Sequence, residues 1–136
     1  MVKCRVLIVD DEAIVRESIK DWLADAGYEA ATAESGEEAL ELIKKQDFGF
    51  IVLDIRLPGK TGIEVLKEVK VARPEIKSVV VTAYPSEDTI IEAKKLGAID
   101  YLIKPVAPDD LERLIREALQ QAEGEKSRNL QHRNTE

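Results

Sequence analysis

Cysteine, histidine and aromatic residues are scarce in this 136-residue chain, which has one Cys, one His, one Trp, three Tyr and two Phe. A lone Cys4 excludes an internal disulfide framework and fits a reducing compartment. It lies in an apolar, strand-like run, where it reads as a small buried hydrophobe rather than a reactive thiol. The one histidine, His132, sits in a polar tail, away from every acidic cluster, which argues against zinc or a redox metal. No apolar run is long enough to span a bilayer, and the opening Met1-Val2-Lys3-Cys4-Arg5 lacks the apolar core of a signal peptide. The expected setting is therefore soluble and cytoplasmic. Basic charge is also short: 20 Lys and Arg against 27 Asp and Glu leave a formal net charge of -7. Direct nucleic acid contact or adhesion to an anionic membrane is not expected of this piece.

Hydrophobic residues make up 44% of the sequence and charged residues 35%, an ordinary globular balance at a length that suits one domain. Strand-like and helix-like stretches alternate throughout. Cys4 to Val9 is apolar apart from Arg5, and Val15, Ile19, Trp22, Leu23 and Ala26 then recur at helical spacing. Gly27 is placed to stop that helix in a left-handed conformation. Tyr28 to Ala33 alternates as a strand. Ser35 and Glu38, then Thr61 and Glu64, form S/T-x-x-E capping boxes that open two further helices. Arg73-Pro74 ends the second, because the residue before proline is pushed out of helical conformation. Val79-Val80-Val81 runs into Thr82. Ser86 caps a helix carrying Ile90, Ala93 and Leu96, and Gly97 closes it. Ala98 to Ile103 is the last strand, and Pro108 suits the first turn of a final helix with Leu111, Leu114, Ile115, Ala118 and Leu119 on one face. Five βα units at this spacing predict a parallel sheet with helices on both faces.

The most informative stretch is Phe50-Ile51-Val52-Leu53-Asp54-Ile55-Arg56-Leu57-Pro58-Gly59. An apolar run bounded by a Pro-Gly turn is the pattern of a strand buried on both faces, and Asp54 sits at its end, where open α/β sheets bind their ligands. Parallel strands share one carboxyl edge. Asp10 and Asp11, Asp54, Thr82 and Lys104 all fall at predicted strand ends, so they are expected in one site. Three carboxylates brought together repel unless some are protonated or a cation joins them. The oxygen-only ligand set favours a hard divalent ion, Mg²⁺ or Mn²⁺. Lys104 adds a fixed cation and Thr82 a hydroxyl donor. The result is a phosphate-sized pocket containing a carboxylate nucleophile, which suits phosphoryl transfer.

The motifs Val9-Asp10-Asp11-Glu12, Leu53-Asp54-Ile55-Arg56-Leu57-Pro58-Gly59, Val81-Thr82-Ala83 and Tyr101-Leu102-Ile103-Lys104-Pro105 resemble, in order and spacing, the receiver domain of two-component response regulators. The resemblance covers residues 4 to about 122. It implies a flavodoxin-like (βα)5 fold with sheet order 2-1-3-4-5. Asp54 is then the phosphoacceptor, served by a sensor histidine kinase or a small phosphodonor. Asp11, Asp54 and the main-chain oxygen of Arg56 would hold Mg²⁺, with Asp10 acting largely through water. Lys104 would pair with the phosphoryl oxygens, and a cis bond to Pro105 would aim it. Thr82, followed by Ala83, would close on the phosphoryl group, while Tyr101 turns inward and remodels the 84–122 surface. Arg56 and Tyr84 occupy the two variable positions that set the lifetime of the phosphorylated form, which is expected to exceed that of fast chemotaxis members.

Other readings fit less well. A haloacid-dehalogenase-type phosphatase would have a second Asp where this chain has Arg56, and its nucleophile on the first strand. A nucleotide- or flavin-binding protein would need a phosphate loop where this chain has Asp10-Asp11-Glu12. A receiver used only as an unphosphorylated interaction module would tend to have lost one of the acids, Thr82 or Lys104. The expected boundaries are a receiver over 1–122 and a polar linker or tail over 123–136. The stretches Thr82-Ala83-Tyr84 and Gly97-Ala98-Ile99-Asp100-Tyr101 resemble receivers at the front of NtrC-class transcription activators. Expected partners are a sensor histidine kinase and a second copy through the 84–122 face. The domain is not expected to act as an enzyme beyond its own phosphorylation and dephosphorylation.

Overall fold

The computed structural model describes residues 4–120. The tail expected over 123–136 lies outside the described residues. Five strands, β1 (Arg5–Val9), β2 (Glu29–Ala33), β3 (Phe50–Asp54), β4 (Lys77–Thr82) and β5 (Asp100–Ile103), alternate with α1 (Ala13–Asp25), α2 (Gly36–Lys45), α3 (Gly62–Ala72) and α4 (Glu87–Lys95). A fifth helix, α5, runs over 108–120 within the described residues. The strands are all parallel, in the order β2-β1-β3-β4-β5, as expected of a flavodoxin-like sheet.

Strand alternation divides the core into two layers. Leu7, Val9, Ile51, Leu53 and Val80 face Ala39 and Ile43 of α2, Leu66 and Val69 of α3, and Ala93 of α4. Val6, Ile8, Phe50, Val52, Val79 and Val81 face Ile19 and Leu23 of α1 and Leu111, Ile115 and Ala118 of α5. Covering both faces explains why β1, β3 and β4 read as unbroken apolar runs. Each fully buried Leu, Ile or Phe side chain contributes about 1.5–3 kcal/mol of burial free energy.

Helix boundaries follow local chemistry. The hydroxyls of Ser35, Thr61 and Ser86 accept from the N–H groups of Glu38, Thr61's partner Glu64, and Thr89, at 3.2, 3.2 and 3.3 Å. The reciprocal half of the first capping box goes one residue further out, with Glu38 Oε2 accepting from Glu34 N–H at 3.2 Å. Gly27 ends α1 with φ at 91°. Strand β5 is shorter than the predicted 98–103 because Ala98 is still tied to the end of α4. Ala98 N–H bonds back to Ala93 O at 3.0 Å, and Ile99 N–H crosses to Ser78 O at 2.8 Å. No helix among the described residues is long and apolar enough to cross a membrane.

Candidate functional site

The period-2 geometry that builds the core also builds the site. Asp54 is the last residue of β3 and continues the side of Phe50 and Val52. Asp10 lies one residue past β1 and continues the side of Val6 and Ile8; its N–H still bonds Ala33 O at 3.1 Å. Lys104 lies one residue past β5, with its N–H on Thr82 O at 2.8 Å. These strand ends share one edge of the sheet, and their side chains converge across it. Lys104 Nζ donates to Asp10 Oδ2 at 2.7 Å and Asp54 Oδ2 at 2.9 Å, and reaches Glu12 Oε1 at 3.3 Å. The remaining oxygens are held by the turns that follow: Asp10 Oδ1 accepts Glu12 N–H at 2.9 Å, and Asp54 Oδ1 accepts Arg56 N–H at 3.0 Å. The Lys104–Pro105 peptide is cis, as expected.

Helix α3 starts directly against the end of β3. A Cβ on Gly62 would stand 2.2 Å from Asp54 O, so no other residue fits there without displacing the strand end.

Asp10, Asp54 and Thr82 are buried polar side chains at this edge. Burial pushes the Asp54 carboxyl above the ordinary carboxylate range, and the negative charge of Asp10 pushes it the same way; Lys104 and the Arg56 N–H only partly offset this. For Lys104, burial works against the charge, but the bonds and charges of Asp10 and Asp54 outweigh it and raise its pKa. Lys104 is therefore a fixed cation between two carboxylates. An excess of acid remains around it.

The other expected residues lie around a cleft of about 210 Å³ lined by Asp11, Glu12, Asp54, Arg56, Thr82, Ala83, Tyr84 and Lys104. Asp10 sits behind Lys104 rather than on the cleft wall. Thr82 Oγ1 accepts Tyr84 N–H at 3.1 Å. The Arg56 guanidinium lies over the Tyr84 ring, 4.3 Å from its centre, in cation–π geometry. Tyr101 is half-buried against the α2–α4 side of the core, and its hydroxyl is 3.2 Å from Thr89 Oγ1 on α4. Pro105 is exposed and lines an adjoining groove with Trp22 and Val106.

Carboxylate oxygens of Asp10, Asp11 and Glu12 come within 4.8 Å of one another, a spacing that suits one hard cation. Two residues here were not singled out from the sequence. Glu12 shares Lys104 and joins the acidic group. Arg16, on α1, donates from Nη1 to the carbonyl oxygen of Asp10 at 2.7 Å. A signal for Arg16 was present: it lies three residues before Ile19 on the stripe that α1 turns inward, an unusual place for a cation.

Residues 6–116 match the family model for the response regulator receiver domain. The chain belongs to that family. It is 41% identical over 107 residues to the alginate biosynthesis transcriptional regulatory protein AlgB of Pseudomonas aeruginosa, covering 79% of this chain and 24% of that protein. It is 40% identical over 118 residues to the transcriptional regulatory protein ZraR of Escherichia coli K12, covering 84% of this chain and 26% of that one. The receiver thus spans about a quarter of the length of these regulators. Among solved structures, a CheY-like receiver domain protein from Methanospirillum hungatei superposes with a TM-score of 0.88 at 37% identity, covering 92% of this chain and 99% of that one. NtrX from Brucella abortus gives a TM-score of 0.84 at 30% identity, over 91% of this chain and 29% of that one.

Proposed function

We propose that this receiver takes a phosphoryl group on Asp54 from a sensor histidine kinase, in a Mg²⁺-dependent reaction, and passes the signal through its 84–122 face. One observation carries the reading: Asp54 and Lys104 are bonded to each other in the wall of a small acidic cleft at the shared edge of the sheet. In the transfer, an Asp54 carboxylate oxygen bonds to phosphorus as the bond to the donor's nitrogen or oxygen breaks; the leaving group keeps the electron pair, a histidine nitrogen taking a proton from solvent and a carboxylate leaving as the anion. Asp54 is held for this by Arg56 N–H and Lys104. Lys104 stays close enough to follow a phosphoryl oxygen, and Thr82 has a hydroxyl proton free to donate, since its oxygen only accepts from Tyr84 N–H.

Asp11, Asp54 and the Arg56 main chain would hold the cation, and their shared position on one cleft, with Asp10 behind, supports that set. Glu12 is a further carboxylate within reach. The bound ion supplies neutralisation of the phosphoryl oxygens. Turnover of generic phosphate esters is not expected, because the group is transferred to the protein itself.

The 84–122 surface leaves Ile91 on α4 and Ile103 on β5 exposed, which suits a protein-binding face and pairing with a second copy. The similarity to AlgB, ZraR and NtrX supports an NtrC-class activator, with transcription as the output.

The decisive test is the intact mass after incubation with acetyl phosphate and Mg²⁺. The parent gains one phosphoryl group, and the gain is lost in Asp54→Asn or on chelation. If the parent binds neither a phosphoryl group nor beryllofluoride, it is an unphosphorylated interaction module instead.

A further inference from the structure

Asp10 is held at every polar atom. Its N–H is bonded to Ala33 O at 3.1 Å, Oδ1 to Glu12 N–H at 2.9 Å, Oδ2 to Lys104 at 2.7 Å, and its carbonyl oxygen to Arg16 Nη1 at 2.7 Å. The first three partners come from the sheet ladder, the following turn and the site lysine. Arg16 comes from α1, and its place within the helix does not favour a cation. It lies in the N-terminal half of the helix, where the macrodipole disfavours positive charge. Its side chain is 14% exposed, and its ion partner Glu34 is 3.8 Å away and 69% exposed, so that pair contributes little. The short bond to Asp10 is the strong interaction of this side chain.

The Asp10 carbonyl and the Asp11 N–H belong to one planar peptide. Fixing the carbonyl oxygen fixes the plane from which Asp11 departs. The Asp11 carboxylate is exposed at the mouth of the cleft and holds no hydrogen bond to another described residue, so the backbone alone sets the point from which it reaches into the site.

We propose that Arg16 is a positioning residue for the cation site: by bonding the Asp10 carbonyl it holds in place the backbone from which the Asp11 carboxylate reaches the ion. This rests on the reading of Asp11 as a cation ligand. The charge of Arg16 has the opposite effect, since a cation beside an acidic cluster weakens binding of a second cation. The sign of the change on removing it therefore separates the two roles.

The test uses the full chain labelled with ¹⁵N, titrated with Mg²⁺ alone and followed by amide shifts at residues 10 to 12. Arg16→Met and Arg16→Gln are expected to raise the Mg²⁺ dissociation constant about tenfold, the scale seen when a metal ligand loses its supporting partner. In acetyl phosphate labelling, the same variants shift the half-saturating Mg²⁺ concentration upward while the rate at saturating Mg²⁺ stays near that of the parent. A role in stability alone would lower the thermal midpoint and leave the Mg²⁺ constant unmoved. Arg16→Gln keeps a polar end in this partly exposed place and serves if Arg16→Met does not fold. Unchanged or tighter Mg²⁺ binding in the variants overturns the proposal and leaves the cation site standing. A parent with no Mg²⁺-dependent shifts at residues 10 to 12 overturns the cation site together with it.

Discussion

The first four residues of β3, Phe50 to Leu53, and its fifth, Asp54, are buried to nearly the same depth: none exceeds 5% exposure. For the first four, burial is the source of stability, and truncating a side chain such as Phe50 to alanine costs about 3–5 kcal/mol. For Asp54 the same burial opposes the ionised form that its chemistry needs. One strand therefore carries both the core that stabilises the fold and a group the fold destabilises. The local difference is only that the apolar run stops at a carboxyl edge, where Lys104 and Asp10 are also brought in.

Removing Lys104 should widen this contrast most. Lys104→Met leaves the buried carboxylates of Asp10 and Asp54 without their shared cation, and breaking a buried ion pair on one side costs about 3 kcal/mol or more. Urea denaturation at neutral pH should show a loss of that size. The deficit should shrink when Mg²⁺ is added, and also as the pH falls and the carboxylates take up protons. A variant as stable as the parent in metal-free buffer would mean that water reaches the carboxylates and that Lys104 is not needed to offset their burial.

Asp54→Asn should move stability the other way. Because burial raises the folded-state pKa of Asp54 above its unfolded value, folding favours the protonated group, and ionisation at neutral pH works against the fold. The neutral isostere should therefore have a higher urea midpoint than the parent without Mg²⁺ at neutral pH. Linkage fixes the sign of the pH dependence: the advantage should fade as the pH drops through the folded-state pKa and the parent protonates. A lower midpoint for Asp54→Asn would show that the bond to Lys104 outweighs desolvation.

The layered sheet and the meeting of Asp10, Asp54, Thr82 and Lys104 could be read from the sequence because both follow from local rules: apolar runs, caps, and the common direction of parallel strands. The details that escaped depend on contacts between elements. Val65 of α3, which the sequence did not single out, is fully buried. Helix α2 covers it there, and a Cβ on Gly36 would come within 2.5 Å of Val65 Cγ2. A helical period reports one buried face and is silent about a second neighbour. Glu12 and Arg16 escaped for a related reason. Long side chains reach across elements, and spacing in sequence does not say which end atom meets which backbone oxygen. The sheet order and the cis peptide came from family resemblance rather than from periodicity.

The finest contrast lies on the solvent side of Asp54, where Arg56 stacks on Tyr84 across the cleft mouth. The strand tip is shut in from behind by the core, whereas on its open side this pair forms part of the cleft wall, and Tyr84 itself is 66% exposed. A cation–π contact at an exposed site is worth about 0.5–1 kcal/mol, so losing it should change a rate by only about two- to fivefold. If the pair hinders the water that hydrolyses the aspartyl phosphate, Arg56→Ala and Tyr84→Ala should each shorten the lifetime of the phosphorylated form by about that factor. The double variant should do little more, because either single change already breaks the stack. Decay of the phosphorylated mass after removal of acetyl phosphate measures this directly. Additive effects would mean that each side chain acts on the water by itself, and unchanged decay in both would leave the pair as a surface contact with no hold on the site.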